Sequence, residues 1–232
     1  MTPLRRIAVV IPARNEQQLI ARCLESVAVA AASSRALPRR TPVDVVVVAD
    51  SCTDDTAGIA RGFAGVTVIE TAVASVGAAR RIGVAAALAA SADRGDRVWI
   101  ANTDADSVVP PNWLGFQAGL ARRGAELMLG TVTPEFADLS AEQQNAWRAR
   151  RTVGEVHGAN LGIRADRYLA VGGYAPLAEH EDVDLVARCV AAGVRPVATD
   201  ACDVTTSGRQ VGRTPGGYAR FLRTDLLRDP TS

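Results

Sequence analysis

Apolar runs and helical stripes alternate along the first hundred residues of the chain. Ile7 to Ile11 is a short apolar run that predicts a strand. Glu16 to Ala31 carries Leu19, Ile20, Cys23, Leu24 and Val27 at helical spacing and predicts a helix. Ser33 to Pro42 is polar and contains proline, so it reads as a loop. Val43 to Ala49 is rich in β-branched residues and predicts a second strand. Thr53 to Phe63 follows as a helix, with Asp54 and Asp55 in its first turn, where the helix dipole favours acids. Val66 to Glu70, Gly77 to Ala90 and Arg97 to Asn102 continue the series as strand, helix and strand.

After Pro110 the regularity loosens. Pro111 to Arg122 predicts a helix, Leu127 to Val132 a strand, and Ala141 to Arg151 a polar helix or lid. Asn160 to Arg164 is a strand candidate, followed by helices over Ala165 to Val171 and Asp182 to Ala192 and a strand over Arg195 to Thr199. No internal repeat interrupts this order.

An α/β alternation of this kind implies a mostly parallel sheet with right-handed crossovers. Such sheets bind ligands beyond the carboxyl ends of their strands. The polar clusters fall there: Pro12 to Glu16 after the first strand, Asp50 to Asp55 after the second, Asp104 and Asp106 after the fourth.

Composition narrows the chemistry. The chain has 232 residues, 48 % of them hydrophobic, which suits a folded domain with a real core. Net charge is +1, so no global field points to nucleic acid. Every basic residue is arginine, which excludes a Schiff-base or Walker-type lysine. Four cysteines without a C-x-x-C pair and two histidines argue against structural zinc. No apolar run is long enough for a signal h-region or a membrane span, so the expected location is cytoplasmic, with peripheral contact at the inner membrane face through Arg148 to Arg151 left open.

The acidic clusters suggest the reaction. Asp104 and Asp106, one residue apart on a turn, could share Mg2+ or Mn2+ with a diphosphate, since these ions prefer oxygen ligands. Taken as a tripeptide, Asp-Ala-Asp reads equally as a solvated turn. Glu181 and Asp182 open an amphipathic helix. They read either as a cap or, for Asp182, as a general base for an acceptor hydroxyl. Gly158, Ala159 and Asn160 offer close approach and one hydroxyl contact, or an ordinary turn. Arg80, near a helix N-terminus, and Arg209 suit phosphate, with solvated basic turns as the alternative. Trp113, Trp147 and Tyr218 either stack on a sugar or pack the core.

In this order the motifs resemble those of the family 2 glycosyltransferases of the GT-A fold. The matching pieces are Ile11-Pro12-Ala13-Arg14-Asn15-Glu16, Val48 to Thr56, Gly77-Ala78-Ala79-Arg80, Asp104-Ala105-Asp106, Gly158-Ala159-Asn160 and Glu181 to Leu185. The resemblance implies a Rossmann-like, mostly parallel central sheet flanked by helices, with a smaller acceptor-side region; residues 1–109 would be the donor-binding half and residues 110–232 the acceptor-binding and catalytic half of the same domain. It implies transfer of a sugar from a nucleoside diphosphate donor, a UDP-sugar first and a GDP-sugar second, to a hydroxyl acceptor of unknown identity, with inversion. Pro12, Ala13, Arg14 and Glu16 would wall the nucleoside pocket, Asp50 would read base or ribose, and Arg80 would contact the donor. Asp106 would be the principal metal ligand, with Asp104 toward ribose or metal. Asp182 would be the base, with Glu181 beside it, and Gly158 to Asn160 would touch the acceptor. A homodimer is among the expected assemblies. The chain departs from relatives in having Ala49 where a second acid often precedes Asp50, and in lacking a Gln-x-x-Arg-Trp motif and membrane helices. A sugar nucleotidyltransferase or a donor-binding pseudoenzyme are the rival readings. The first is disfavoured because Pro12 to Glu16 has no glycine and the chain no lysine.

Overall fold

The computed structural model describes residues 4–33, 41–91, 93, 95–212 and 216–228. Its centre is a mixed eight-stranded sheet. The strands are β1 (Arg6–Ala13), β2 (Val43–Asp50), β3 (Val66–Thr71), β4 (Val98–Asn102), β5 (Ser107–Val108), β6 (Leu127–Pro134), β7 (Leu161–Arg164) and β8 (Pro196–Thr206). They lie in the order β3-β2-β1-β4-β7-β6-β8-β5. The first four are mutually parallel, as the alternation predicts. Beyond β4 the sheet becomes mixed: β7 runs antiparallel to β4 and β6, while β8 is parallel to β6.

Strand β1 shows why the chain folds this way. Ile7 through Ile11 are all fully buried, because helices cover both sheet faces. Ile7, Val9 and Ile11 face α1 (Ile20–Ser33) and α4 (Trp113–Arg122); Ala8 and Val10 face α3 (Val76–Ala89), α6 (Ala165–Ala170) and α7 (Glu181–Ala191). The strand's period of two thus divides its side chains between two cores. A third, smaller core packs Trp147 of α5 (Ala141–Arg150) against Leu222 of a C-terminal helical segment, Tyr218 to Asp225, and against Leu226 just after it.

Several boundaries differ from the sequence reading, for physical reasons. Helix α1 begins at Ile20 rather than Glu16. The backbone N–H groups of Glu16 and Gln17 instead donate to Thr56 Oγ1 and Asp54 Oδ2, which ties the first loop to the second. Helix α2 (Thr56–Arg61) begins at Thr56 rather than Thr53, because Asp54 accepts from the Thr56 N–H and lies ahead of the first turn. Strand β8 runs seven residues past Thr199, pairing with β6 on both sides of an irregularity between Gly130 and Val132. The predicted loop's residues 34–40 lie outside the described residues. Among the described residues, no helix is long and apolar enough to cross a membrane.

Candidate functional site

Strands β1, β2 and β4 end side by side. Their ends open into a cavity of about 500 Å3, which the later loops close from the other side. Arg209 and every residue that the resemblance assigns to the site line this cavity except Asn160; of the three aromatic candidates Tyr218 lines it and Trp113 and Trp147 do not. Four non-glycine residues with positive φ, Asn15, Ser51, Ala74 and His180, stand on its loops. Such conformations cost energy and cluster where structure is held for function.

Arg80 is the hub. It projects from α3, is 2 % exposed, and joins two walls of the cavity. Its Nη2 donates to Asp104 Oδ1 at 2.5 Å and its Nε to Glu181 Oε1 at 2.9 Å. Burial opposes its charge, but Asp104, Tyr174 and Glu181 outweigh burial and hold it firmly cationic. Its Nη1 is buried without a hydrogen-bond partner beside the cavity. Close packing makes the bridge feasible. A Cβ on Gly77 would lie 2.1 Å from the Ala175 carbonyl, and one on Gly158 would lie 2.5 Å from Arg80 Nη2.

The Asp106 side chain is 14 % exposed, more buried than that of Asp104 at 36 %. Arg209 Nη2 is 2.9 Å from its Oδ2 and also donates, with Nη1, to the two oxygens of Glu16 at 2.6 and 2.8 Å. The β5–β8 pairing of Ser107 with Thr206 delivers this arginine. Burial pushes the Asp106 carboxyl up to about 6; Arg209 pulls it down, and Asp104 pushes it up further. A carboxyl raised in this way, beside a second carboxylate, is a fitting oxygen donor for a hard cation; the buried Cys23 thiol nearby is engaged by the Asp104 carbonyl, to which it donates at 3.3 Å. Among the described residues no cluster of three or more His, Cys, Asp or Glu is spaced to hold a metal. Any ion here would complete its shell with water and phosphate oxygens, as Mg2+ commonly does.

On the opposite wall, Asp182 Oδ2 accepts from the Gly158 N–H at 2.7 Å, and its Oδ1 from the Val183 N–H at 2.8 Å. His180, in the left-handed region, starts α7 and aims this pair. Glu181 is 5 % exposed and serves as the Arg80 counter-ion. Burial raises its pKa, against the lowering effect of Arg80. Burial likewise lowers that of His157, which meets the Tyr218 ring edge-on at 6.0 Å.

One expectation needs correction and others need refinement. Asn160 is fully buried and does not line the cavity. Its amide donates to Thr131 O and Cys202 O, and its oxygen accepts from Trp113 Nε1, each at 2.9 Å, because it knits β6, β8 and α4 together. Trp113 is therefore core, not a sugar platform. Asp50 accepts from the Ala74 and Ser75 N–H groups at 3.0 Å and so anchors the loop before α3. Arg14 is exposed at the rim. Arg148, Arg150 and Arg151 make intramolecular contacts with Phe136, with the Asp225 carbonyl and with Asp203. Sequence reasoning missed Ala74, Glu179, His180 and Thr206 as lining residues. Only the run of acids and histidine from Glu179 to Asp182 hinted at two of them.

Residues 8–164 match the sequence model described as glycosyl transferase family 2. A 66-residue stretch is 36 % identical to 4,4'-diaponeurosporenoate glycosyltransferase of Staphylococcus aureus strain USA300, covering 28 % of this chain and 15 % of that protein. The fold is similar to that of mannosyltransferase PcManGT from Pyrobaculum calidifontis, solved with GDP-Man and Mn2+. The TM-score is 0.67 at 21 % identity, over 97 % of this chain and 62 % of that one. It is also similar to S. aureus TarS 1-349 in complex with UDP-GlcNAc, with a TM-score of 0.64 at 16 % identity, over 92 % and 61 %. The chain thus spans under two thirds of the length of each of these proteins.

Proposed function

The chain belongs to glycosyl transferase family 2, and on that premise we propose that it moves a sugar from a nucleoside diphosphate donor to an acceptor hydroxyl. The observation that carries this reading is the Arg80 bridge. One buried guanidinium fixes Asp104, on the donor side, and Glu181, next to Asp182, in a single cavity. In this reading residues 1–109, which carry Asp104, are the donor-binding half, and residues 110–232, which carry Glu181, are the acceptor-binding and catalytic half that the bridge joins to it.

Pro12, Ala13 and Arg14, with the loop that Asp50 anchors, would hold the nucleoside. A UDP-sugar is the first candidate and a GDP-sugar the second; TarS was solved with UDP-GlcNAc and PcManGT with GDP-Man. Asp106 and Asp104 would hold Mg2+ or Mn2+, which when bound neutralises the leaving diphosphate. Arg209 stands close enough to Asp106 to turn from Glu16 to a phosphate oxygen.

Asp182 then acts as general base. The acceptor oxygen attacks the anomeric carbon as its proton passes to an Asp182 oxygen. The bond from that carbon to the phosphate oxygen breaks, and the nucleoside diphosphate leaves with the bonding pair. Attack from the opposite face in a single displacement inverts the anomeric centre. Two hydrogen bonds from backbone N–H groups orient the carboxylate while each oxygen keeps a further lone pair.

The test is calorimetric titration of UDP, GDP and their common sugars with Mn2+ and with EDTA, on wild type and Asp106→Ala. Metal-dependent binding of one nucleotide, lost in the variant, is the expected result. No binding of any nucleotide in the presence of metal would sink the donor-site assignment.

A further inference from the structure

The wall next to Asp182 is built differently from the donor wall. It consists of Val156, His157, Tyr218, Phe221 and the exposed Val183. Tyr218 and Phe221 stack with centroids 5.8 Å apart. The Tyr218 hydroxyl accepts from Trp147 Nε1 at 3.0 Å, which holds its ring in place. Val183 directly follows the base and is 46 % exposed although it lines the cavity. At the mouth, Leu177 and Val211 are exposed next to the lining residues Ala178 and Gly212.

Several of the polar side chains around this wall already have partners. Asn160 is saturated by Thr131, Cys202 and Trp113, Glu179 accepts from the Gly216 N–H, and Glu181 from Arg80. Arg151 donates to Thr131 and Asp203. A hydroxyl-dense acceptor such as a free sugar needs a partner for each buried hydroxyl, and an unmade bond is costly. A hydrocarbon skeleton needs only apolar contact, which this wall supplies.

We propose that the subsite beside Asp182 takes an apolar acceptor: an alcohol or phenol whose carbon skeleton next to the reacting hydroxyl is hydrocarbon and lies against Val183, Val156, Tyr218 and Phe221. The assignment of Asp182 as base rests on the glycosyltransferase reading; the apolar surface itself does not. The exposed valine is then the part of α7 that substrate covers. Val190, equally exposed on the same helix but away from the cavity, is the natural control.

The test is fluorescence titration of the full chain with 4-methylumbelliferone, a phenol on a flat apolar frame. Wild type, Val183→Asp and Val190→Asp are compared, each checked by circular dichroism. Wild type binds, V183D weakens binding about tenfold through loss of buried apolar area, and V190D binds as wild type. n-Decanol displaces the probe, and a hundredfold excess of methyl mannoside does not. The proposal is overturned if wild type does not bind, if V183D binds equally well, or if the glycoside displaces the probe as readily as the alcohol. UDP and GDP are titrated separately with Mn2+. Nucleotide binding alongside a failed probe test leaves the donor reading standing without this subsite. Probe binding without nucleotide binding does the reverse.

Discussion

Arg209 meets Glu16 through two hydrogen bonds, 2.8 and 2.6 Å long, which join residues 193 positions apart in the chain. The same guanidinium lies 2.9 Å from Asp106. It therefore places a single positive charge where a divalent cation and a diphosphate would also come. Replacing it by Arg209→Gln removes a cation that competes for Asp106 but would stabilise phosphate. We expect Mn2+ alone to bind several-fold more tightly to R209Q, and UDP or GDP with Mn2+ to bind about tenfold more weakly. Calorimetry on the two ligands separately reads both effects. Unchanged affinities would reduce Arg209 to a clamp between the first loop and β8.

The Arg80–Glu181 pair is buried on both sides, at 2 % and 6 % side-chain exposure. Removing one partner of a buried pair leaves an uncompensated charge and costs about 3–5 kcal/mol. Urea denaturation of Arg80→Gln should show a loss of that size. The double variant R80Q/E181Q should be more stable than R80Q, because the charge left behind is gone. Additive losses would mean that the pair is not coupled.

Asn160 distinguishes a structural role from a substrate contact. Its three hydrogen bonds leave two carbonyls and an indole N–H unsatisfied when the side chain is cut back. Asn160→Ala should cost about 2–4 kcal/mol in denaturant titration while nucleotide affinity holds. A stable N160A with a raised acceptor KM would restore it as an acceptor contact.

These cases mark what the sequence made legible. The parallel half was legible because β1, β2 and β4 are short, largely apolar runs, each followed by polar residues at the sheet's carboxyl edge. The acidic sites were legible because Asp104, Asp106 and Asp182 sit at element ends, where a local pattern shows. Asn160 was not, since its partners Thr131 and Cys202 come from strands whose register no local pattern gives. Arg209 was seen as a basic residue near the site. Its pairing with Glu16 was not, because it depends on the full length of β8 and on β5, a two-residue strand too short to carry a period. The αL start of α7 at His180 was equally hidden, because histidine does not announce a positive φ as glycine does.

Asp106 gives the fold a pH signature. Its carboxyl titrates at about 6 in the folded chain, raised by burial, and near 3.9 when unfolded. Between those values the folded state holds the proton and the unfolded state has released it, so this group's contribution to stability rises as pH falls from about 6 to 4. In EDTA, wild type should gain roughly 2–3 kcal/mol over that interval relative to Asp106→Asn, which has no proton to take up. Guanidinium titrations of both proteins at pH 4, 5, 6 and 7 give the difference. Parallel profiles would mean that the carboxyl is ionised throughout.

The last prediction concerns the base. Asp182→Asn keeps an oxygen to accept from the Gly158 N–H, so the loop geometry should persist while proton acceptance is lost. With a working donor and acceptor in hand, kcat should fall by roughly 10²–10⁴, the usual contribution of a positioned general base. Nucleotide affinity should stay within about twofold, because Asp182 holds the Gly158 loop and not the Asp104–Asp106 turn. Proton NMR of the wild-type product tests the stereochemistry. An anomer opposite to the donor's fits one displacement with one base. A retained anomer requires a different route through the same cavity, and near-normal turnover by D182N would move the base to another group beside the acceptor. His157 is then the next to test, because it flanks Gly158 and its lowered pKa keeps the imidazole neutral and able to accept a proton at pH 7.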